Sequence, residues 1–315
     1  MDLVMDLDMD LDMDLVDIIK CDIRTSHTTH GTMPLSIQDG ALSWQRLAVL
    51  NKHPRDDRIQ FEEESHIYTI DGSCVGWISC TKFLHEFFGE FDADAIIAKM
   101  MKSSKWSESK YFGMTPEQIK KQWSDKGEAS SKAGTRMHLD IERFYNAMLA
   151  VGGFTLQDGL TGLNIDQWSP VEGPEWNYFC SYQTEYAEKN GLIPFRTEWL
   201  VFDDEHRLSG SIDMVYKKPD GTLAIYDWKR IEEAKTMNKF QSGIGPVSHL
   251  PDTNYWHYSL QLNIYRYILE KNYGYKVSDL ALVILHPINS SWRVLKLNIM
   301  DDEVAGMLAA RASCM

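Results

Sequence analysis

The chain has 315 residues, of which 43% are hydrophobic and 11% aromatic, a composition typical of a packed globular protein. Its net charge of −14 argues against a nucleic-acid binder, but half of that excess comes from seven aspartates in residues 1–17. No apolar run reaches the roughly 18 residues that a membrane-spanning helix needs, and the acidic N-terminus does not resemble a secretory signal peptide. We therefore expect no membrane segment.

The cysteines are few and widely spaced, and none forms a Cys-x-x-Cys pair. They are Cys21, Cys74, Cys80, Cys180 and Cys314. An odd number at these spacings argues against a disulfide framework and favours an intracellular, reducing compartment. The ligand spacings of a zinc ribbon and of a cysteine-held iron–sulfur cluster are also absent. Cytoplasm, nucleus, mitochondrion and viral factory are all compatible with this pattern.

Composition changes along the N-terminal part of the chain. Residues 1–17 alternate Asp with Met or Leu, and such an acidic, low-complexity repeat is typical of a disordered tail. Residues 18–58 are weakly periodic and predict no defined element. From residue 59 a hairpin is predicted, followed by a helix for which Ser79 is a suitable N-cap.

Helices dominate the next part of the chain. They are predicted at residues 79–88, 92–103, 116–123, 127–150 and 174–189. The Gly-rich stretch 151–172 is predicted to be a loop, and Asn190-Gly191 closes the last of these helices.

The pattern then changes to the period of two that is typical of strands. Strands are predicted at residues 195–202, 208–218, 222–229, 280–286 and 292–297. A long polar connection, residues 231–253, and a helix over residues 256–272 separate the third strand from the fourth. This order predicts an α/β sandwich with an all-helical N-terminal elaboration.

The strongest candidate for chemistry is the hairpin whose Pro-Asp-Gly turn contains Asp220. Centring the turn there places Asp213 opposite Asp227, with Cβ atoms ~4.5–5.5 Å apart. Lys229 is two residues beyond Asp227 and so shares its face of the strand. Two facing carboxylates favour a divalent cation such as Mg²⁺ or Mn²⁺. The alternative is an exposed hairpin with a cross-strand salt bridge and no catalytic role.

Two further pairs of polar side chains lie four residues apart on predicted helices, so each pair shares a helix face. His138 and Glu142 combine an imidazole that can bind a metal with a carboxylate. Gln261 and Tyr265 can both donate hydrogen bonds to a phosphate. Either pair alone is more typical of an ordinary packed helix.

In chain order, the segments GTRMHLDIE, GSID, DWK and QLNIY resemble the motif series of RecB-type PD-(D/E)XK nucleases. The resemblance extends from residue 59 to residue 297. It is strongest to the exonuclease branch that includes the mitochondrial genome maintenance exonuclease and relatives from large viruses and phages. It implies a restriction-endonuclease-like fold over residues 59–315, with a central mixed sheet flanked by helices and a helical insertion at about residues 92–126.

The resemblance also implies an activity and its site. The activity is that of a Mg²⁺- or Mn²⁺-dependent deoxyribonuclease, an exonuclease acting from DNA ends in repair, recombination or replication. His138, Asp213 and Asp227 would be metal ligands, with the Trp228 carbonyl as a fourth, and Lys229 would be the catalytic lysine. The other catalytic candidates are Glu142, Gln261 and Tyr265, with Glu198 as an accessory acidic residue.

Residues 99–136 form a locally basic stretch, with nine Lys or Arg against four acidic residues. Lysines interleaved with aromatic residues are suited to guiding a single strand, although a solvated helix face is the simpler interpretation. The DNA-binding candidates are Lys102, Lys105 and Lys121, together with Arg230, which follows the DWK motif.

We expect no iron–sulfur cluster, because the four-cysteine pattern of some relatives is absent. The partners implied are single-stranded or end-containing DNA and proteins of replication or recombination, and no membrane. A structure-specific endonuclease on the same core and a catalytically inactive nucleic-acid-binding fold stay open as alternatives.

Overall fold

The computed structural model describes residues 45–148 and 154–315. The predicted acidic tail at residues 1–17 and the greater part of the 18–58 segment lie outside these residues. The described chain forms two compact units. One is Glu90–Thr135, and the predicted insertion at about 92–126 falls inside it. The other comprises residues 45–89 and everything from Arg136 onward.

The larger unit is built on a six-stranded mixed sheet. Its strands are β3 (Ile78–Ser79), β4 (Ile193–Asp203), β5 (Leu208–Lys217), β6 (Leu223–Lys229), β7 (Val277–Ile284) and β8 (Arg293–Lys296). Strand β4 pairs antiparallel with one edge of β5 along almost its whole length. The other edge pairs with β3 and β6, and the sheet continues through β7 to β8. A separate hairpin is formed by β1 (Ile59–Glu62) and β2 (Ile67–Ile70), as the sequence predicts.

Helices cover both faces of the sheet. In chain order the helices are α1 (Arg46–Leu50), α2 (Cys80–His85), α3 (Ala93–Met101), α4 (Pro116–Met148), α5 (Leu156–Ile165), α6 (Pro174–Tyr182), α7 (Asn254–Asn272) and α8 (Asp301–Ala312). Because successive strand residues point to opposite faces, Val215 packs with α2, α7 and α8, whereas Met214 and Tyr216 pack with α4 and α6. The predicted α/β fold with a central mixed sheet is confirmed.

Several predicted helix boundaries are wrong. The two helices predicted at 116–123 and 127–150 are one helix, α4. Trp123, Gly127 and Ser131 are buried and follow one another at intervals of four residues, so Gly127 continues one buried face of the helix. Ser79 caps α2 by accepting a hydrogen bond from the Lys82 amide, as expected, but the helix ends at His85.

The predicted 151–172 loop contains α5. Its glycines allow close helix packing: a Cβ atom on Gly159 would lie 2.2 Å from the Phe144 ring, and one on Gly162 would lie 2.2 Å from the Ala147 carbonyl. The glycines that indicated a loop are therefore the residues at which α5 contacts α4. Helix α8 was not predicted.

Candidate active site

The β5–β6 hairpin has the register that the sequence predicts. The Lys218 amide donates to the Thr222 carbonyl at 2.8 Å, and the ladder ends at the pair Met214 and Tyr226. On this edge of β5, pairing with β3 involves Leu208 and Ser209 only, so residues 210–213 lie between the two ladders. Those four residues are the GSID segment. Beyond the ladder, the Asp213 carboxylate accepts a hydrogen bond from the Trp228 amide at 3.1 Å.

Asp227 and Lys229 share a face of β6 and form an ion pair of 2.9 Å. Asp227 is buried, and the Lys229 ammonium also lies 4.4 Å from the centre of the Tyr258 ring on α7. A cation over an aromatic face is stabilised electrostatically. The lysine is therefore held between a carboxylate and a ring. Tyr258 was not predicted, although it lies three residues before Gln261 and seven before Tyr265, a spacing that indicates one helix face.

His138 on α4 lies over the end of the hairpin. Its Nε2 is 2.9 Å from the Trp228 carbonyl, to which it donates a hydrogen bond. The ring nitrogen that remains, Nδ1, is 3.5 Å from Asp213 Oδ2 and 3.9 Å from Glu198 Oε1. Nδ1 therefore faces two carboxylates, and when the ring is neutral its lone pair can join them in holding a cation.

Glu198 enters the same cluster from β4. Thr197 pairs with Met214 and Trp199 with Ile212, so Glu198 lies opposite Asp213. Its φ is +42°, a left-handed value within a strand that costs a non-glycine residue about 1–3 kcal/mol. Its carboxylate accepts a hydrogen bond from the Ser211 hydroxyl at 3.0 Å. A residue considered accessory on sequence grounds is therefore brought to the centre of the site.

The comparisons with known proteins are in accord with this geometry. A sequence profile of the PD-(D/E)XK nuclease superfamily matches residues 109–309, which include every residue of the cluster. The chain belongs to the PD-(D/E)XK nuclease superfamily. No curated protein matches the sequence significantly.

A solved structure with some similarity is that of a protein named "Putative exonuclease" from Eubacterium rectale. It is 14% identical, with 54% of this chain and 76% of that chain covered and a TM-score of 0.25. At this level the likeness carries no argument about activity.

The cluster of this nuclease is rich in carboxylates, of which Asp227 is buried and the others are half-buried. Burial and repulsion from Asp213 raise the pKa of Asp227 to about 7, because they outweigh the attraction of Lys229, which lowers it. Burial, with repulsion from Asp213, Glu142 and Asp227, raises the pKa of Glu198 well above its usual range. Burial likewise raises the pKa of Glu142 to about 7. Concentrated negative charge of this kind is relieved by a bound cation.

The donor atoms fit a divalent cation. Ligand atoms of His138, Glu198 and Asp213 all lie within 4.8 Å of one another. PD-(D/E)XK nucleases typically use divalent metals, and carboxylate oxygens with one imidazole are suited to Mg²⁺ or Mn²⁺. The Trp228 carbonyl, implied as a ligand by the resemblance, accepts the His138 hydrogen bond in this structure. Its role as a ligand, like that of Asp227, stays a prediction.

Gln261 and Tyr265 lie on α7 and are both buried. The Gln261 amide donates to the Thr81 hydroxyl at 3.0 Å, and the Tyr265 ring packs on the backbone of Gly210. A Cβ atom on Gly210 would lie 2.6 Å from that ring. The glycine of GSID and the tyrosine of QLNIY therefore contact each other, and this contact supports the part of β5 that lies between the β3 and β6 ladders, next to Asp213.

The Gly210→Ala variant is expected to lose about 1–3 kcal/mol of unfolding free energy through overpacking, and to cleave more slowly because Asp213 shifts. Chemical denaturation and a cleavage assay measure the two effects. Gly89→Ala is the control, because its Cβ atom would meet nothing within 4 Å. Adding Tyr265→Leu to Gly210→Ala should restore part of the stability. Unchanged stability of Gly210→Ala would contradict the packing argument.

Two of the predicted DNA-binding residues are engaged by acidic side chains. The Arg230 guanidinium bonds Glu175 at 2.8 Å, and Lys121 is paired with Asp125 at 2.7 Å. Lys102 is exposed and Lys105 half-buried, both within Glu90–Thr135. Their contact with DNA stays a prediction. Within the described residues, no helix combines the length and apolarity needed to cross a membrane.

Proposed function

We propose that this protein is a Mg²⁺- or Mn²⁺-dependent deoxyribonuclease that hydrolyses phosphodiester bonds from DNA ends. The observation that carries the proposal is the convergence of His138, Glu198 and Asp213 donor atoms within 4.8 Å, next to the Asp227–Lys229 ion pair. A hairpin with only a structural salt bridge does not require a strained Glu198 or an imidazole facing two carboxylates.

Each residue of the cluster has a separate task in this proposal. His138, Glu198 and Asp213 would hold a divalent ion, which when bound would polarise a phosphoryl oxygen and lower the pKa of a water. Lys229 donates a hydrogen bond to the attacking water or to the charge that grows on the phosphate. Asp227 and the Tyr258 ring orient the Lys229 ammonium. The Trp228 carbonyl fixes the His138 ring so that Nδ1 faces the carboxylates.

Metal dependence provides the first test. With end-labelled linear DNA, Mg²⁺ and Mn²⁺ are expected to support cleavage, and Mn²⁺ at least as well as Mg²⁺ because imidazole is a softer ligand than water. Ca²⁺ should permit binding with little cleavage, since it prefers more ligands at longer distances. Chelation with EDTA should stop the reaction, and undiminished cleavage in EDTA would refute the metal mechanism.

Dependence on ends provides the second test, and the basic stretch 99–136 motivates it. Tyr111 and Trp123 form part of the core of Glu90–Thr135, with the Trp123 indole donating to the Tyr111 hydroxyl at 2.8 Å. Phe112 is exposed, and Lys110 lies two residues before it. Of these three aromatic residues, only Phe112 is therefore available to stack on a base.

Charge reversal at Lys102 and Lys105 is expected to weaken DNA binding and to reduce the slope of log affinity against log salt by about 0.7 per lost contact on single strands. Lys121→Glu should have a smaller effect, because Asp125 already neutralises Lys121. Fluorescence anisotropy over a salt series measures both. Unchanged binding after reversal would remove this stretch from the DNA-binding surface.

Closed single-stranded circles are expected to resist digestion under conditions in which the linear form is degraded. Rapid degradation of circles would indicate an endonuclease on the same core. Binding without cleavage in any metal would indicate an inactive nucleic-acid-binding fold.

A further inference from the structure

The connection between β6 and α7 exposes large apolar side chains. Met237, Phe240 and Ile244 are 71%, 64% and 57% exposed, although they lie within eight residues of one another. Single exposed apolar residues are ordinary on a protein surface. Three on one loop are more typical of an interaction site.

This loop is held in place by side-chain amides. Asn238 accepts hydrogen bonds from the amides of Phe240 and Gln241 and donates to the Asp252 carbonyl at 2.8 Å. The Ile244 amide donates to the Phe87 carbonyl at 2.9 Å. The loop thus has a defined backbone, so the apolar side chains are exposed by its conformation.

The part of the loop around Phe240 is basic and suits an anionic partner. Residues 234–251 contain Lys235 and Lys239 and no Asp or Glu, and the acidic residues of the connection, Glu232, Glu233 and Asp252, lie at its two ends. Basic residues flank Phe240 on the N-terminal side, with Lys239 immediately before it. Lysine combined with an exposed aromatic ring is the combination that binds unpaired nucleotides, through phosphate neutralisation and base stacking.

The loop is also anchored beside the candidate active site. Asn254, at the start of α7, accepts a hydrogen bond from the Lys235 amide at 2.8 Å, and the Trp256 indole donates to the Thr236 carbonyl at 3.1 Å. Two residues further along α7, the Tyr258 ring contacts Lys229. The same helix turn therefore supports both the loop and the lysine.

We propose that residues 235–244 bind the unpaired nucleotides of a nucleic-acid strand, with Phe240 stacking on a base and Lys239 contacting a phosphate. The inference rests on the proposed nuclease function, since the strand is the one that would enter the cluster of His138, Glu198 and Asp213. It adds a strand-binding site to that function. It also predicts a preference for unpaired over fully paired ends, because only unpaired bases present a ring face for stacking.

Fluorescence anisotropy in EDTA, with labelled single-stranded and blunt duplex oligonucleotides of the same length, tests the loop without cleavage. Phe240→Ala is expected to weaken single-strand binding about 5- to 150-fold, the range that corresponds to one stacked base. Duplex binding should change much less. Phe240→Trp should retain single-strand affinity, and Lys239→Gln should reduce its salt dependence. Ile244→Ser tests a second side chain of the loop, and Ile165→Ser is its matched control. Both side chains are 57% exposed, and only Ile244 lies on the loop.

Binding of Phe240→Ala that equals wild type would overturn the inference. A molar mass from light scattering that shows the loop joining two copies of the chain would also overturn it. If the wild type binds single strands through Phe240 but cleaves nothing with Mg²⁺ or Mn²⁺, the proposed function fails and the strand-binding site stands. If the wild type cleaves DNA and Phe240→Ala binds single strands as tightly as the wild type, the proposed function stands and the strand-binding site fails. Failure of the wild type to bind any strand would overturn both.

Discussion

Replacing Asp227 by asparagine, or Lys229 by alanine, is expected to reduce cleavage by at least about 100- to 1,000-fold, the usual effect of removing one preorganised charge from an active site. The variants should stay folded. Asp227 lies close to Asp213 and Glu198, so Asp227→Asn relieves repulsion among clustered carboxylates. Its melting temperature in EDTA should therefore equal or exceed that of the wild type.

The matched control for Lys229→Ala is Lys218→Ala on the same sheet. Lys218 forms an ion pair with Asp279 at 2.9 Å, the same length as the Lys229–Asp227 pair. Half-exposed pairs of this kind contribute about 0–1 kcal/mol, and Lys218→Ala should cleave normally. Normal cleavage by folded Asp227→Asn would remove Asp227 from the active site. A large fall in its melting temperature would instead assign it a structural role.

Substitution of Glu198 by glycine is expected to change activity and stability in opposite directions. Glycine adopts a positive φ without the steric cost that a Cβ atom imposes, so removal of the strain at +42° should raise the unfolding free energy by about 1 kcal/mol. Loss of the carboxylate from the His138–Asp213 group should lower metal affinity about 10- to 100-fold, by analogy with other losses around metal sites. Denaturant titration and Mn²⁺ binding calorimetry measure the two effects.

Gln167→Gly is the control for the stability change. Gln167 has φ +56° directly after α5, where glycine is the preferred residue, and it is exposed. The Gln167→Gly variant should gain a similar amount of stability with no change in cleavage or metal binding. Glu198→Gln removes the charge and keeps the strain, so it should lose metal affinity without gaining stability from the backbone. If Glu198→Gly cleaves as fast as the wild type, the carboxylate has no part in the chemistry.

Local patterns in the sequence determined much of the core. The Pro-Asp-Gly turn fixes the β5–β6 register, and the register places Asp213 at the end of β6 beside Asp227 and Lys229. Alternation along β5 and β6 sends successive residues to the two faces of the sheet, where helices cover them. These features depend on residues close in the chain, and such interactions can be read from a sequence with few alternatives.

Contacts between distant segments decided the rest. Glu198 reaches Asp213 only because β4 pairs with β5 in one register, and Tyr258 reaches Lys229 only because α7 packs on β6. Gly159 indicated a loop, but it is a helical residue that must be glycine because the Phe144 ring occupies the place of a Cβ atom. Local sequence is enough to set the hairpin register and the charges. Which distant groups meet depends on the folded chain, because close packing of side chains selects one arrangement among many that local preferences allow.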